Sequence, residues 1–567
     1  MHRSRTLLAR VSGGGRRSGS AFSSSSRNGL FGALLGLATL TTVASASSPS
    51  DANASSSSSW FSFGGGQPAV GAAVSAASTD AVAAAAAAAP ITAESVAAPA
   101  AATHASRASG PNVVFAWGSN QFGQLGTETS AESEAVPRHL TDLDELDLVD
   151  ISAAAESVLA LAADGTLYAW GRGDNYVLGQ GRRWELSRSP LPVAGLPPVV
   201  SAALSASHAA AIDAEGRVWT WGNRALGRPF TEATAGVPGP VAGGELGAQR
   251  AVKVACGLNH TLIVTENGQV FALGSNAEGA MGLGEQGNMS LTDKATWATH
   301  GNAAAASVNS ISSSSSSANC TASGLNGKLN GTFELPVRVR GLDGLRVTDV
   351  AAGKRFSLFL TADGRVFSCG DDSYGQTGQG AATAGRCVYT PRPVAGLHGH
   401  RVVAVSAGEQ HAAAVTEDGA VFTWGLGSDG QMGTATRAVK NANAAVISSL
   451  RDAKGVRAAD VACGGGHTIV RALPPSAATP AAAAAMAAAN ASERERARAA
   501  GAGLGQLWVW GRGRDGQLGR GDRMESVAAG RDRPMQLDFV KGRYMSPAGE
   551  IVKVQAGTNS SYALAKK

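Results

Sequence analysis

The stretch "VWGRGRDGQLG", Val509 to Gly519, decides how this chain is read. Gly511, Gly513 and Gly516 have the G-x-G-x-x-G spacing of a dinucleotide-binding loop. That chemistry needs the glycines to close a strand and open a helix whose N-terminus holds a pyrophosphate, with an acidic residue about 20 positions on. After Gly519 the chain continues as "RGDRMESVAAGRDRPMQ", which has no sustained apolar period and soon meets Gly530 and Pro534. No helix is signalled there, and the nucleotide reading fails.

The same phrase instead recurs along the chain. It stands as "FAWGSNQFGQLG" from Phe115, "YAWGRGDNYVLG" from Tyr168, "WTWGNRALGRP" from Trp219 and "FALGSNAEGAMG" from Phe271. It returns as "FSCGDDSYGQTG" from Phe367, "FTWGLGSDGQMG" from Phe422 and the opening stretch, making seven copies. The Trp position is held by Trp117, Trp170, Trp221, Leu273, Cys369, Trp424 and Trp510, so most steps lie near 52 residues. The two long steps carry low-complexity inserts, residues 285–333, rich in Ser, Asn and Gly, and residues 472–504, rich in Ala.

A second phrase precedes the later copies, most clearly "VACGLNHTLIVTENGQVFALG" from Val254. Its short apolar runs broken by Asn-Gly or Asp-Gly read as hairpins. A third element, "LPVRVRGL" from Leu335 or "RPVAGL" from Arg392, reads as a proline-bearing edge strand. Each unit thus holds about four antiparallel strands, and seven such units pack radially into an all-β, seven-bladed propeller. The chain ends on a bare second phrase, "IVKVQAGTNSSYALAKK" from Ile551, and its repeats begin on a bare "NVVFAWG" from Asn112. The two halves are expected to complete one blade.

These units resemble those of the regulator of chromosome condensation family, seven-bladed propellers built on W-G-x-N-x-x-G-Q-L-G repeats, and in particular its mitochondrial branch. The likeness covers residues 112–567 apart from the inserts, and it makes Gly511, Gly513 and Gly516 turn glycines.

Composition fits this architecture. The 567 residues include 73 glycines and only 5% aromatics, and the 44% apolar content is ordinary. Six arginines and no acid occupy the first 50 residues, which leaves 42 basic against 43 acidic residues in the rest. The propeller therefore lacks the basic balance of a phosphate-binding domain, and nucleic acid is not an expected partner. Five cysteines, with no C-x-x-C pair, give neither a disulfide framework nor a metal site.

Residues 1–29 have the acid-free, Arg- and Ser-rich composition of a mitochondrial transit peptide. The apolar run 30–46 is at the short end for a membrane span and is read as an inner-membrane anchor. A cleaved sorting signal, or a secretory signal ending in "ASA" at Ala44 to Ala46, are the alternatives. Residues 47–111 are Ala/Ser-rich and read as a disordered linker spanning about 45 Å as a coil.

Histidines recur at one repeat position, as His208, His260, His411 and His467, with Ser157, Phe356 and Ser560 in the other copies. Equivalent positions in a ring point to different blades, so packing and hydrogen bonding are expected rather than metal binding or catalysis. Cys256 and Cys463 share another repeat position and Cys369 takes the Trp place, so all three read as small core residues. The charged "NASERERARAAG" from Asn490 reads as a solvated arm, with a partner-docking helix as the alternative. No catalytic, cofactor-binding or metal-binding residue is assigned, and an enzyme is not expected.

The resemblance to mitochondrial family members implies a monomeric, non-enzymatic scaffold or assembly factor. It would be tethered to the inner membrane through residues 30–46, with respiratory-complex subunits or a GTPase as partners. The alternatives are a guanine nucleotide exchange factor, as in the nuclear founder, and a factor associated with the mitochondrial ribosome or RNA.

Overall fold

The computed structural model describes residues 112–566 apart from 285–331, 451–455, 474–505, 522–531, 538–549 and a few shorter stretches. The leader, the apolar run and the linker therefore lie outside the described residues. Seven four-stranded antiparallel sheets are present, as the repeat count requires. We number the blades in chain order: one (148–192), two (199–240), three (251–338), four (347–393), five (402–446) and six (458–537).

Blade seven is made from both ends of the propeller. The strand Asn112–Ser119 pairs with Ser560–Lys566, so that Asn112 lies opposite Lys566 and Gly118 opposite Ser560. Ile551–Ala556 and Ser133–His139 complete that sheet at its inner and outer edges. In five blades the outer strand carries a proline, as in Thr332–Arg338 and Cys387–Pro393, where a missing N–H faces outward at no cost, whereas Lys440–Val446 and Met535–Leu537 have none.

The inserts read from composition run slightly into the sheets. Thr332 pairs with Ser275 and Phe333 with Gly274, and at the second insert Ala472 pairs with Gln506. Composition marks where low complexity starts, whereas pairing is decided by the neighbouring strand.

The repeat consensus has a mechanical explanation. In five blades the outer-strand register shifts across the Trp position, for example between Thr423 and Gly425, and the following glycine takes φ near 105°. A Cβ on Gly425 would meet the Gln410 carbonyl at 2.6 Å, so only glycine lets the third strand cross the second this closely. In the turn beyond, the Gln side chain accepts a backbone N–H two residues earlier: Gln124 from Phe122, Gln376 from Tyr374, Gln431 from Asp429 and Gln517 from Asp515, at 2.8–2.9 Å. Asn120 and Asn276 accept the backbone N–H five residues on, from Leu125 and Met281. Gly511 and Gly516 have positive φ, as does Gly519, but Gly513 does not. Gly513 stands at that Asn position, and its place in the nucleotide-like pattern is a coincidence of the repeat.

A second bulge recurs in every innermost strand, one residue after its start. The extra residues are Val149, Val200, Val252, Thr348, Val403, Ala459 and Val552, one per blade. Bulges of this kind add twist, which suits strands packed round an axis.

Blade four departs from the consensus by carrying Asp372 at the Asn position. Its Oδ1 still accepts the Thr377 N–H at 2.8 Å, but Oδ2 is buried without a partner. Burial raises its pKa above the ordinary carboxylate value, against the hydrogen bonds from Thr377. A carboxyl with a raised folded pKa stabilises fully only below its unfolded value and loses that contribution as pH rises through the folded one. Asp372→Asn is therefore expected to stabilise the protein by about 1 kcal/mol at pH 7–8, with the gain vanishing near pH 4, in denaturant titrations at both pH values.

Candidate functional site

The second strand of each blade begins at the His position, and the four histidines do not converge. Each reaches across a blade junction to a hydroxyl on the next blade: His208 Nε2 to Thr261 Oγ1 at 2.9 Å and His260 Nε2 to Ser357 Oγ at 2.9 Å. His411 pairs likewise with Thr468, and His467 with Ser561, both at 3.0 Å. Three of these hydroxyls donate onward to a turn carbonyl of the preceding blade, Ser357 to Ala280, Thr468 to Gln431 and Ser561 to Gln517. With that proton committed, the imidazole supplies the N–H, which fixes hydrogen on Nε2.

The sequence obeys this pairing round the whole ring. Where the His position holds Ser157, Phe356 or Ser560, the facing residue on the next blade is Ala209, Ala412 or Val158, which lack a hydroxyl. Phe356 and Ala412 lie in one apolar cluster, so that junction is closed by packing instead. A glycine three residues before the ring leaves it room: a Cβ on Gly408 would meet His411 Cε1 at 2.7 Å, and one on Gly353 would meet Phe356 Cε1 at 2.1 Å.

The tryptophans complete these junctions. Trp117, Trp170, Trp221, Trp424 and Trp510 are fully buried, and each indole donates to a turn carbonyl of the preceding blade. The acceptors are Gln517, Gln124, Val177, Gln376 and Gln431, at 2.7–2.9 Å. Cys369 makes the same contact weakly, Sγ to the Ala280 carbonyl at 3.5 Å. Leu273 has no donor, and it follows the blade whose turn phrase, "WGNRALGRP", departs most from the repeat.

The innermost strands surround an axial cavity of about 430 Å³, and Cys256 and Cys463 on those strands pack into the apolar clusters between blades. Burial pushes both thiols up to about 12, so they are unreactive. Lys253 pairs with Asp349 at 2.7 Å and Lys553 pairs with Asp150, each bridging adjacent blades. Desolvation raises the pKa of Asp460 despite Arg471 and Lys553 nearby.

Because strands alternate direction, the W-G turns and the turns preceding the His position share one face. Several of its charges are paired: Lys354 with Glu409 at 2.9 Å, Arg512 with Asp429 at 2.9 Å, Arg355 with Glu278 at 3.4 Å and Arg172 with Asp174 at 2.7 Å. The Asp-Gly turns and the blade-to-blade connections form the opposite face. Among the described residues no group of three or more His, Cys, Asp or Glu is placed to hold a metal. Cys320 and the "NASERERARAAG" arm lie outside the described residues.

Residues 113–470 match the model of the RCC1-like domain, and residues 505–564 match that of the regulator of chromosome condensation (RCC1) repeat. The chain belongs to the RCC1 family. Among curated relatives it is similar to the Ultraviolet-B receptor UVR8 of Arabidopsis thaliana, with 32% identity over 349 residues, 59% of this chain and 77% of that one. It is 30% identical over 363 residues to the E3 ubiquitin-protein ligase HERC2 of Homo sapiens, a match to 63% of this chain and only 6% of that one. Two solved RCC1-type propellers share the fold at 19% identity. Human WBSCR16 matches with a TM-score of 0.57 over 80% of this chain and 99% of its own. Prp20p of Saccharomyces cerevisiae matches with a TM-score of 0.58 over 81% and 92%. RCC1-like propellers act mostly as binding or exchange proteins, and relatives such as HERC2 that carry ligase activity are far longer than the part matched here.

The junction geometry carries two expected outcomes. Thr468→Ala strands the buried His411 N–H and is expected to cost about 1–3 kcal/mol. Adding His411→Phe copies the Phe356–Ala412 junction and is expected to recover most of that loss in a double-mutant cycle of unfolding free energies. The second outcome concerns acid. Burial lowers His208 and His467 to about 3 and His260 and His411 to about 4. Below about pH 6.5 the unfolded chain takes up protons that the folded histidines refuse, so stability is full above that pH and falls from about pH 6.5 to 4. Unfolding free energies measured across that window are expected to show a slope reduced by about one proton in the His411→Phe/Thr468→Ala variant.

Proposed function

We propose that the protein is a non-enzymatic interaction platform whose partners are proteins. The observation that carries this reading is the use of the histidines. The repeated titratable side chains that a catalytic or metal reading would need are spent as buried joints between blades. What remains accessible is a rigid ring with two loop-lined faces, the arrangement on which binding functions are built. The near-neutral balance of the chain beyond its first 50 residues favours protein over nucleic-acid partners.

The finer part of the proposal places this platform in mitochondria, tethered to the inner membrane by residues 30–46 and supporting assembly of respiratory complexes. Its support is the Arg-rich, acid-free leader followed by an apolar run. Among the described residues no helix is long and apolar enough to cross a membrane, and residues 30–46 lie outside them. A second reading, guanine nucleotide exchange, has the family's fold behind it: the structure of Prp20p was described together with its binding to Gsp1p and histones. Exchange needs a face that stabilises a nucleotide-free GTPase and no catalytic triad, so the fold is compatible with it.

Import of radiolabelled precursor into isolated mitochondria, with protease protection before and after outer-membrane rupture and then alkaline extraction, tests the proposal. A potential-dependent, protected and extraction-resistant product is expected. A protected but fully extractable product overturns the tether, and absence of import overturns the mitochondrial placement.

A further inference from the structure

The face opposite the W-G turns carries exposed apolar side chains beside a sector rich in acidic residues. The innermost-strand bulges end on this face. Val149 is half-buried against the junction between blades one and two, but Val200 and Val252, on the next two blades, are each 46% exposed. The innermost strands of blades one, two and three are packed side by side, so these three valines form one arc. Blade four interrupts it with Thr348, and Val403 stands apart on blade five. A bulge needs no apolar side chain for its geometry, and β-branched residues held in water at adjacent equivalent positions mark an interaction surface.

The charge beside this arc differs from that of the other blades. The residue just before the innermost strand is arginine in four consecutive blades, Arg250, Arg346, Arg401 and Arg457. In blades three and five that arginine lies near the acid of its own turn, Arg250 to Glu266 at 3.8 Å and Arg401 to Glu417 at 3.6 Å. In blade one the position holds Asp147, whose carbonyl accepts the Ala163 N–H at 3.0 Å, so Asp164 of the turn stands beside a like charge. The connection leading into blade one adds Asp142 and Glu145, both exposed. No lysine or arginine occurs anywhere between His139 and Gly171. On blade two, Glu215 is exposed and shares Arg217 with the buried Asp213.

We infer that this arc, from blade one to blade three, docks a protein segment that presents apolar side chains flanked by lysine or arginine. Valines at the bulges take the apolar side chains, and Asp142, Glu145 and Asp164 face the flanking cations. This surface is distinct from the face that carries the W-G turns. It deepens the platform reading by assigning one face and one partner chemistry, and it stands whether or not the protein is mitochondrial.

The test is fluorescence anisotropy with the full chain and a short labelled peptide of two leucines flanked by arginines. Two controls replace its arginines by glutamates or its leucines by alanines. Binding of the arginine–leucine peptide is expected, weakening at least tenfold for the Asp142→Lys/Glu145→Lys pair and for the Val200→Ser/Val252→Ser pair. Val446→Ser, on the outer strand of blade five, is expected to leave it unchanged. These substitutions are at exposed positions, and matching circular dichroism melts check that each variant folds. Four results overturn the inference: no binding, binding unaffected by either pair, equal binding of the peptide without leucines, or self-association on sedimentation that Val200→Ser/Val252→Ser abolishes. The last assigns the surface to a second copy of the chain.

Discussion

The indole N–H of one blade reaching a turn carbonyl of the blade before it is the contact on which the ring depends. Propeller blades present flat apolar faces to one another, and apolar burial alone does not fix how far one sheet slides over the next. A directional bond from a fully buried side chain to a backbone acceptor does fix it. Each such bond contributes only about 1 kcal/mol net, but leaving either partner unpaired at a dry junction costs more than the bond contributes. Other parts of the repeat serve this contact. Glycine after the Trp lets the third strand lie close enough, the turn glutamine holds the loop in shape, and its own main-chain carbonyl receives the indole.

At several junctions the same carbonyl receives a second donor, which uses both of its lone pairs. Gln431 accepts from Trp510 and Thr468, Gln517 from Trp117 and Ser561, and Gln124 from Trp170 and Tyr562. The histidine behind the hydroxyl at the first two completes a chain that runs through the dry interior. Such networks are stable when every member is satisfied and costly when one is lost. The Phe356–Ala412 junction shows the other solution, in which packing replaces the histidine and hydroxyl while Trp424 still donates to the Gln376 carbonyl.

Much of this was legible in the sequence. The W-G period gave seven blades, and the split phrases at Asn112 and Ile551 gave the closure, because a repeat architecture writes its geometry in spacing. The hydrogen bonds were not legible in the same way. His411 and Thr468 are 57 residues apart, and only the blade alignment reveals that histidine and hydroxyl occur together or not at all. That signal was present in the sequence but needed a comparison between neighbouring repeats rather than a search within one. Gly513 misleads for a related reason, since a local motif ignores which turn position each residue occupies. The exposed bulges were illegible, because alternation alone does not show where a strand carries an extra residue.

The seventh blade has a consequence for how the molecule is made. Among the propeller's strands, Asn112–Ser119 is synthesised first and its inner partner, Ser560–Lys566, last. Throughout synthesis the first strand therefore has an open edge, with unpaired N–H and C=O groups and the apolar faces of Phe115 and Trp117 beside it. Closing the ring must also overcome the chain entropy of joining segments more than 400 residues apart, after every other blade has formed. Until that last strand is made, the ring cannot be closed by hydrogen bonds. Loss of the strand Ser560–Lys566 removes the pairing that closes that ring.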